Sequence, residues 1–200
     1  MGAVLSVRVR SAEHEASSSP VLGEVSFDLA RGETVALTGP SGIGKTTLLR
    51  LIAGLHRVWS GKVDKPAQMA MVFQEPTLLP WRSVLDNLTI PTGCAQDEAE
   101  QLLAEVGLQG TGARFPATLS LGQQRRLALA RAFAAHPELL LMDEPFVSLD
   151  AGLASEMMDL FETMRQKRGA ASLIVTHSAE EAARLADRVL RLAGRPAVLA

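Results

Sequence analysis

"ETVALTGPSGIGKTTLLRLIAGL" runs from Glu33 to Leu55 and carries three signals in succession. "ETVALTG" is a short β-rich run ending at Gly39. "KTTLLRLIAGL" sets Leu48, Leu49, Ile52 and Leu55 at helical spacing, with Gly54 as a stop signal. Between them, Gly39 to Thr46 match G-x-x-x-x-G-K-[ST] in full. Glycines let a backbone wrap an anion without Cβ clashes, and a helix N-terminus aims its N–H groups at that anion. The candidate phosphate-binding residues are therefore Gly39, Pro40, Ser41, Gly42, Ile43, Gly44, Lys45, Thr46 and Thr47. Lys45 is expected to reach β- and γ-phosphates, and the Thr46 hydroxyl to ligate Mg2+.

Composition bounds what such a cradle can serve. Two hundred residues suit one domain, with room for a subdomain. At 47% hydrophobic and 21% charged, the chain can bury a sizeable core. The net charge of −2 and the lack of a Lys/Arg run argue against nucleic acid as the main partner. Cys94 is the one cysteine, so no internal disulfide forms and a reducing cytoplasm is compatible. No apolar run approaches the roughly 18 residues of a membrane helix. The N-terminus has no apolar signal core. Any membrane role needs another chain to span the bilayer. "MGAVLS" fits the myristoylation pattern through Gly2 and Ser6, but that pattern is common by chance.

Strand and helix patterns alternate along the rest of the chain. "QMAMVFQ", "ELLLMDEP" and "ASLIVTH" read as buried strands, and "GEVSFDLARGE" as a strand. "AQDEAEQLLAEVGL", Ser120 to about Ala135, "AGLASEMMDLFETMRQKRG" and "SAEEAARLADR" read as helices. Leu153, Met157, Leu160, Phe161 and Met164 share one side of the third, and Ser178 with Glu181 makes a capping box for the fourth. "GTGARFPATL" and Ser17 to Pro20 read as loops, and "RVLRL" and "PAVLA" as short closing strands. The pattern predicts an α/β fold with a mainly parallel sheet covered on both faces. Residues 1–74 and 138–200 form the expected core, and 75–137 an inserted helical subdomain.

Asp143 and Glu144 fall at the C-terminal end of a buried strand, the edge where open α/β sheets bind ligands. An Asp there can support Mg2+, and a neighbouring Glu can polarise water for attack on a γ-phosphate. Gln74 and His177 each end a buried strand and point to the same crevice.

"LSLGQQRR", Leu119 to Arg126, is a second helix start built like an anion holder. Ser120 at N-cap and Gln123 at N3 form a capping box. Gly122 is unfavourable there, costing about 1 kcal/mol against Ala in a helix interior. Its presence points to close approach by a ligand.

These motifs, in this order, together with "SLD" at Ser148 to Asp150, resemble those of ABC ATPases over nearly the whole chain. The resemblance implies a P-loop NTPase core, a small N-terminal β-subdomain and the helical insert. It implies a head-to-tail dimer with a second copy, each ATP held between one copy's P-loop and the other's signature helix. By that resemblance Ser120, Gly122 and Gln123 hold the partner's nucleotide, and Gln74 senses Mg2+ and the attacking water. Asp143 supports Mg2+, Glu144 is the base, His177 contacts the γ-phosphate, and Asp150 links the two sites.

The chain departs from the family pattern in places. Leu121 stands where the signature has its first glycine; the N–H survives but clearance is lost. The aromatic usually placed upstream to stack on adenine is missing. The chain has no Tyr, and Met1 to Gly32 offers only Phe27, with His14 a weak substitute. The β-subdomain looks trimmed between Gly61 and Gln74, and the early C-terminus implies no regulatory domain.

"LLPWRSVLDN" with "DEPFVSLD" resembles ATP subunits of bacterial importers for nitrate, sulfonates, taurine or thiamine precursors. That implies a permease contact near Pro80, Trp81 and Arg82, an indirect solute-binding protein partner, and a peripheral place on the cytoplasmic face of the inner membrane. The competing reading for Trp81 is local packing in the helical subdomain. Competing readings for the whole chain are a soluble ABC ATPase acting on DNA or ribosomes, a small-molecule P-loop kinase and a non-catalytic nucleotide-binding module.

Overall fold

Strand chemistry separates two sheets in the computed structural model, which describes residues 2–14 and 19–200. Strands β1 (Ala3–Glu13) and β3 (Val25–Ala30) pair antiparallel, with β2 (Pro20–Leu22) and β5 (Trp59–Asp64) also on β1. Burial alternates strictly along β3, as one covered face requires. The second sheet is built on β4 (Thr34–Thr38), β7 (Leu139–Asp143) and β8 (Ala171–Val175). β7 and β8 are buried at every residue, as interior parallel strands covered on both faces must be. Adding β6 (Met69–Val72), β9 (Arg188–Ala193) and β10 (Val198–Leu199) gives the order β10-β9-β4-β8-β7-β6. All neighbours are parallel except β10 with β9.

Side-chain alternation in this sheet sorts the core into two clusters. Leu139, Leu141, Leu173 and Val175 face helix α1 (Lys45–Ala53) and the antiparallel sheet. Leu140, Met142 and Ile174 face the other way, onto helices α2 (Asp86–Thr92), α3 (Gln96–Glu105), α4 (Leu121–Ala134) and α5 (Ala151–Arg168). The helical insert has no core of its own; Leu88, Leu102 and Phe133 share one cluster with the sheet. Helix α6 (Ala179–Leu185) completes the cover.

Register then decides where chemistry can occur. Leu37, Val175 and Asp143 are aligned across neighbouring strands, and Val72 pairs with Met142. The segments that follow these residues therefore emerge at one sheet edge. They are the loop Gly39–Gly44, Thr176–His177, Glu144 and Phe73–Gln74.

Several expectations need adjusting. Gln74 and His177 do not end strands: β6 stops at Val72 and β8 at Val175. Helix α2 was not expected, although "SVLD" carries the S-x-x-D start signal, and the Ser83 hydroxyl accepts the Asp86 N–H at 3.0 Å. The Ser178 hydroxyl accepts the Glu181 N–H, but the box is half made. The Glu181 carboxylate instead accepts the Thr176 hydroxyl at 2.5 Å, and Thr176 Oγ1 takes the Ser178 N–H. Phe27 is buried in the core from β3, so it presents no face to a base. Met1 of the myristoylation pattern and Ser17 and Ser18 of the expected loop lie outside the described residues. Among the described residues, no helix is long and apolar enough to cross a membrane.

Candidate active site

The loop between β4 and α1 is shaped by what surrounds it. Gly39 lies at φ 147°, and a Cβ there would sit 2.7 Å from the Leu192 carbonyl oxygen of β9. Gly44, the N-cap of α1, lies at φ 114°. A Cβ on it would meet Leu22 and Val21 side chains at 2.8 and 2.9 Å. Strand β2 thus presses directly on the loop, and only glycine fits. No side chain caps α1, so its first-turn N–H groups are open to an external acceptor. The Lys45 ammonium is buried and donates to the carbonyls of Gly39 (2.9 Å) and Pro40 (3.0 Å). Those bonds hold it inside the loop's concavity.

Thr46 and Asp143, 97 positions apart, are joined by a 2.9 Å hydrogen bond from the threonine hydroxyl to the carboxylate. Burial pushes the Asp143 pKa up, and the neighbouring Glu144 charge adds to this. The Thr46 hydrogen bond and the Arg50 and Lys45 charges oppose it. Hard oxygen donors this close suit Mg2+.

Glu144 follows β7 with φ 46°, unusual for a residue with a Cβ. Its N–H is pinned to the Val175 carbonyl at 2.9 Å. Its carboxylate lies 3.4 Å from His177 Nδ1, with the two side chains 24% and 59% exposed. His177 also shares a groove of about 500 Å³ with Thr38, Gly39, Pro40 and Arg191. Gln74 is exposed, and no hydrogen bond among the described residues ties its side chain to Thr46, Asp143 or Glu144.

Helix α4 starts differently. The Ser120 hydroxyl accepts the Gln123 N–H at 3.3 Å, and Gln123 Oε1 accepts the Ser120 N–H at 3.0 Å. No bond described for either reaches the Gly39–Thr47 loop. Gly122 does have a close neighbour, but within the chain: a Cβ would sit 3.0 Å from Leu153 Cδ2 of α5. Packing of α4 on α5 therefore gives this glycine a reason independent of any ligand. Leu121 is 50% exposed. Asp150 caps α5 by accepting the Leu153 N–H.

Three residues that matter to the site's shape gave no sequence signal that was recognised. Arg125 and Arg131 reach from α4 to the segments after Glu144 and Gln74. Asn87, fully buried, accepts the Leu79 N–H and donates to the carbonyls of Leu79 and Ser83. It fastens both ends of the turn that holds Trp81 outward. Trp81 is 69% exposed, which overturns its reading as a locally packed residue. A signal for the arginines existed: Arg131 interrupts the apolar run "LALARAFAA" and Arg125 lies just before it.

Residues 22–147 match the family model described as "ABC transporter". The chain belongs to the ABC transporter family. It is an ATP-binding ATPase domain, as the resemblance implied. An aliphatic sulfonates import ATP-binding protein of Frankia alni is 48% identical over 194 residues, 96% of this chain and 78% of that protein. One from Rhodococcus jostii is 45% identical over 194 residues, covering 96% and 72%. Among solved structures, a metal-chelate type ABC transporter in an inward-facing conformation matches at TM-score 0.84, with 28% identity over 95% of this chain and 80% of that one. A dimeric ATP-binding cassette in a post-hydrolysis state, bound to ADP and Pi, matches at TM-score 0.79, with 26% identity over 94% and 93%. This ABC ATPase thus has relatives named for import and structural neighbours that include a dimer.

Proposed function

We propose that the chain is the ATPase subunit of an ABC importer, taking a small organic anion of the sulfonate type as cargo, on the cytoplasmic face of the cell membrane. Relatives named for aliphatic sulfonate import support the cargo class. The exposed Pro80–Trp81–Arg82 turn, braced by Asn87, supports permease docking there. A solute-binding protein is an indirect partner.

The observation carrying the reaction is the convergence of Lys45, Thr46, Asp143, Glu144 and His177 on one sheet edge. Residues 39–47 bind the ATP phosphates through open N–H groups and the Lys45 ammonium. Thr46 and Asp143 would hold Mg2+, which supplies charge neutralisation on the phosphates. Glu144, held rigidly by its bond to β8, takes a proton from the attacking water. His177 steadies that carboxylate and the γ-phosphate side of the site. Ser120, Gly122 and Gln123 of a second copy close over the nucleotide, and Gln74 reports its presence to the helical subdomain, residues 75–137.

Glu144→Gln is the test. It should keep ATP affinity and lower kcat by about a hundredfold or more, as loss of a general base does. Unchanged hydrolysis would remove Glu144 as the base. Light scattering on the same variant should show an ATP-dependent shift from monomer to dimer.

A further inference from the structure

Of the three arginines on helix α4, Arg126 pairs with Glu156 of α5, and the reaction above leaves Arg125 and Arg131 without a role. Arg125 is 8% exposed. Its Nη1 donates to the Pro145 carbonyl at 2.7 Å and its Nη2 to the Val147 carbonyl at 2.9 Å. Its Nε is buried without a partner. No carboxylate pairs with it among the described ion pairs, and burial lowers its pKa. A buried cation without a counter-charge is expensive, and an apolar side chain could fill the same space. What the planar fork provides instead is geometry: two donors fixed on two backbone carbonyls.

Those carbonyls flank Phe146 and lie one and three residues after Glu144. The same segment runs on to Ser148, held at φ 61°, and to Asp150, the cap of α5. Six residues further along α4, Arg131 does the same at the other catalytic loop. It donates to the carbonyls of Pro76 and Thr77, both at 3.0 Å, just after Gln74. Thr77 is also in the left-handed region, at φ 44°. One helix thus grips both strained segments that adjoin the proposed water-handling residues. Its own first residues are the second anion cradle, five positions before Arg125.

We infer that Arg125 and Arg131 are positioning residues that make α4 a strut, so that a nucleotide seated on Ser120–Gly122 aligns Glu144 and Gln74 of the same copy. This rests on the two-copy ATP sandwich proposed above. Each copy's base is then set by the nucleotide that its partner holds, and hydrolysis is cooperative in ATP because the strut is stiff.

The experiment compares the parent chain with Arg125→Met and Arg125→Lys. Fluorescent-ATP binding is read on each, dimer formation in the Glu144→Gln background, and kcat with the Hill coefficient in the unaltered background. For Arg125→Met, affinity and dimer formation should stay within roughly twofold. Its kcat should fall about tenfold or more, since small misplacements of a reacting group cost that much. The Hill coefficient should drop toward one. Lysine keeps one of the two bonds and should recover part of both losses. Retained kcat and Hill coefficient in Arg125→Met would overturn the inference. So would parallel loss of affinity, melting temperature and kcat that lysine does not relieve, because that is packing alone. If Arg125→Met does not fold, Arg131→Met at the less buried end is held to the same split. Failure of the underlying reading looks different: the Glu144→Gln control keeps its turnover or never dimerises.

Discussion

Two helix starts carry the proposed anion sites of this chain, and they are finished in opposite ways. At α1 the cap is Gly44, in a left-handed conformation, with no side chain offered to the first-turn N–H groups. At α4 the cap is Ser120, in an extended conformation, and the capping box is complete. An uncapped helix start keeps its donors for a ligand and gives up stability. A capped one is stable alone, and an anion must compete with Ser120 and Gln123 for the same N–H groups. On the proposed two-copy reading, the first cradle offers free donors to its nucleotide, whereas the second yields its cap bonds only when a partner's nucleotide arrives. The difference also explains the glycines. Gly44 answers to backbone conformation and to β2, whereas Gly122 answers to one flexible leucine side chain.

The sharpest way to break this contrast is Lys45→Ala. It should weaken ATP binding about a hundredfold, near 3 kcal/mol, as loss of a buried charged donor does. A fluorescent-nucleotide titration reads it, and the ATP-induced rise in melting temperature should vanish with it. Equal affinity would mean that the first cradle is not the primary site. Next in size is a matched pair of alanines. Gly44→Ala meets two side chains at under 3.0 Å and a left-handed backbone, and should cost about 2 kcal/mol or more in urea unfolding. Gly122→Ala should be neutral to stabilising by up to about 1 kcal/mol, because Leu153 can shift and alanine favours helix. If Gly122→Ala nevertheless abolishes dimer formation, clearance for the partner's phosphate is the second reason for this glycine.

Ser120→Ala removes a cap that α1 never had, and should cost about 1 kcal/mol of stability while leaving monomer ATP affinity intact. Equilibrium unfolding with and without ATP separates the two. The smallest effect is expected at Asp143. Burial raises its folded pKa above the ordinary value of 3.8. The folded chain then binds that proton more tightly than the unfolded chain. Its favourable contribution is full below 3.8 and is lost as pH rises through the raised value. At neutral pH the buried charge is a burden that Asp143→Asn relieves while Thr46 keeps an acceptor. Melting temperature at neutral pH should rise by about 2 °C and depend less on pH, whereas ATPase activity falls. A lower melting temperature in neutral buffer would show that the Thr46 hydrogen bond outweighs the burial.

Much of this was legible from local chemistry. Gly39–Thr47, Asp143–Glu144 and the Ser120–Gln123 box involve neighbours in sequence, and their spacing alone reports their geometry. The α1, α4 and α5 boundaries follow from caps and stops that act within one turn. What escaped depends on partners far along the chain. Glu181 satisfies every sequence rule for a capping box, yet Thr176 on the preceding turn offers its carboxylate a better donor. Gly122 suggested a ligand until Leu153, 31 positions on, proved to be its neighbour. Nothing local to Arg125 and Arg131 names the backbone carbonyls they bond, which lie 20 and 55 positions away.

The sequence by itself determined which groups are present and how the two helix starts are finished, because capping and loop curvature are decided within a few residues. Only the tertiary structure decided which groups meet. Parallel register brings Thr46 to Asp143 and Glu144 to His177, and the packing of α4 against the sheet places its arginines on the loops beside them. Such contacts arise from burial shared across the whole sheet, and no short stretch of sequence carries that information.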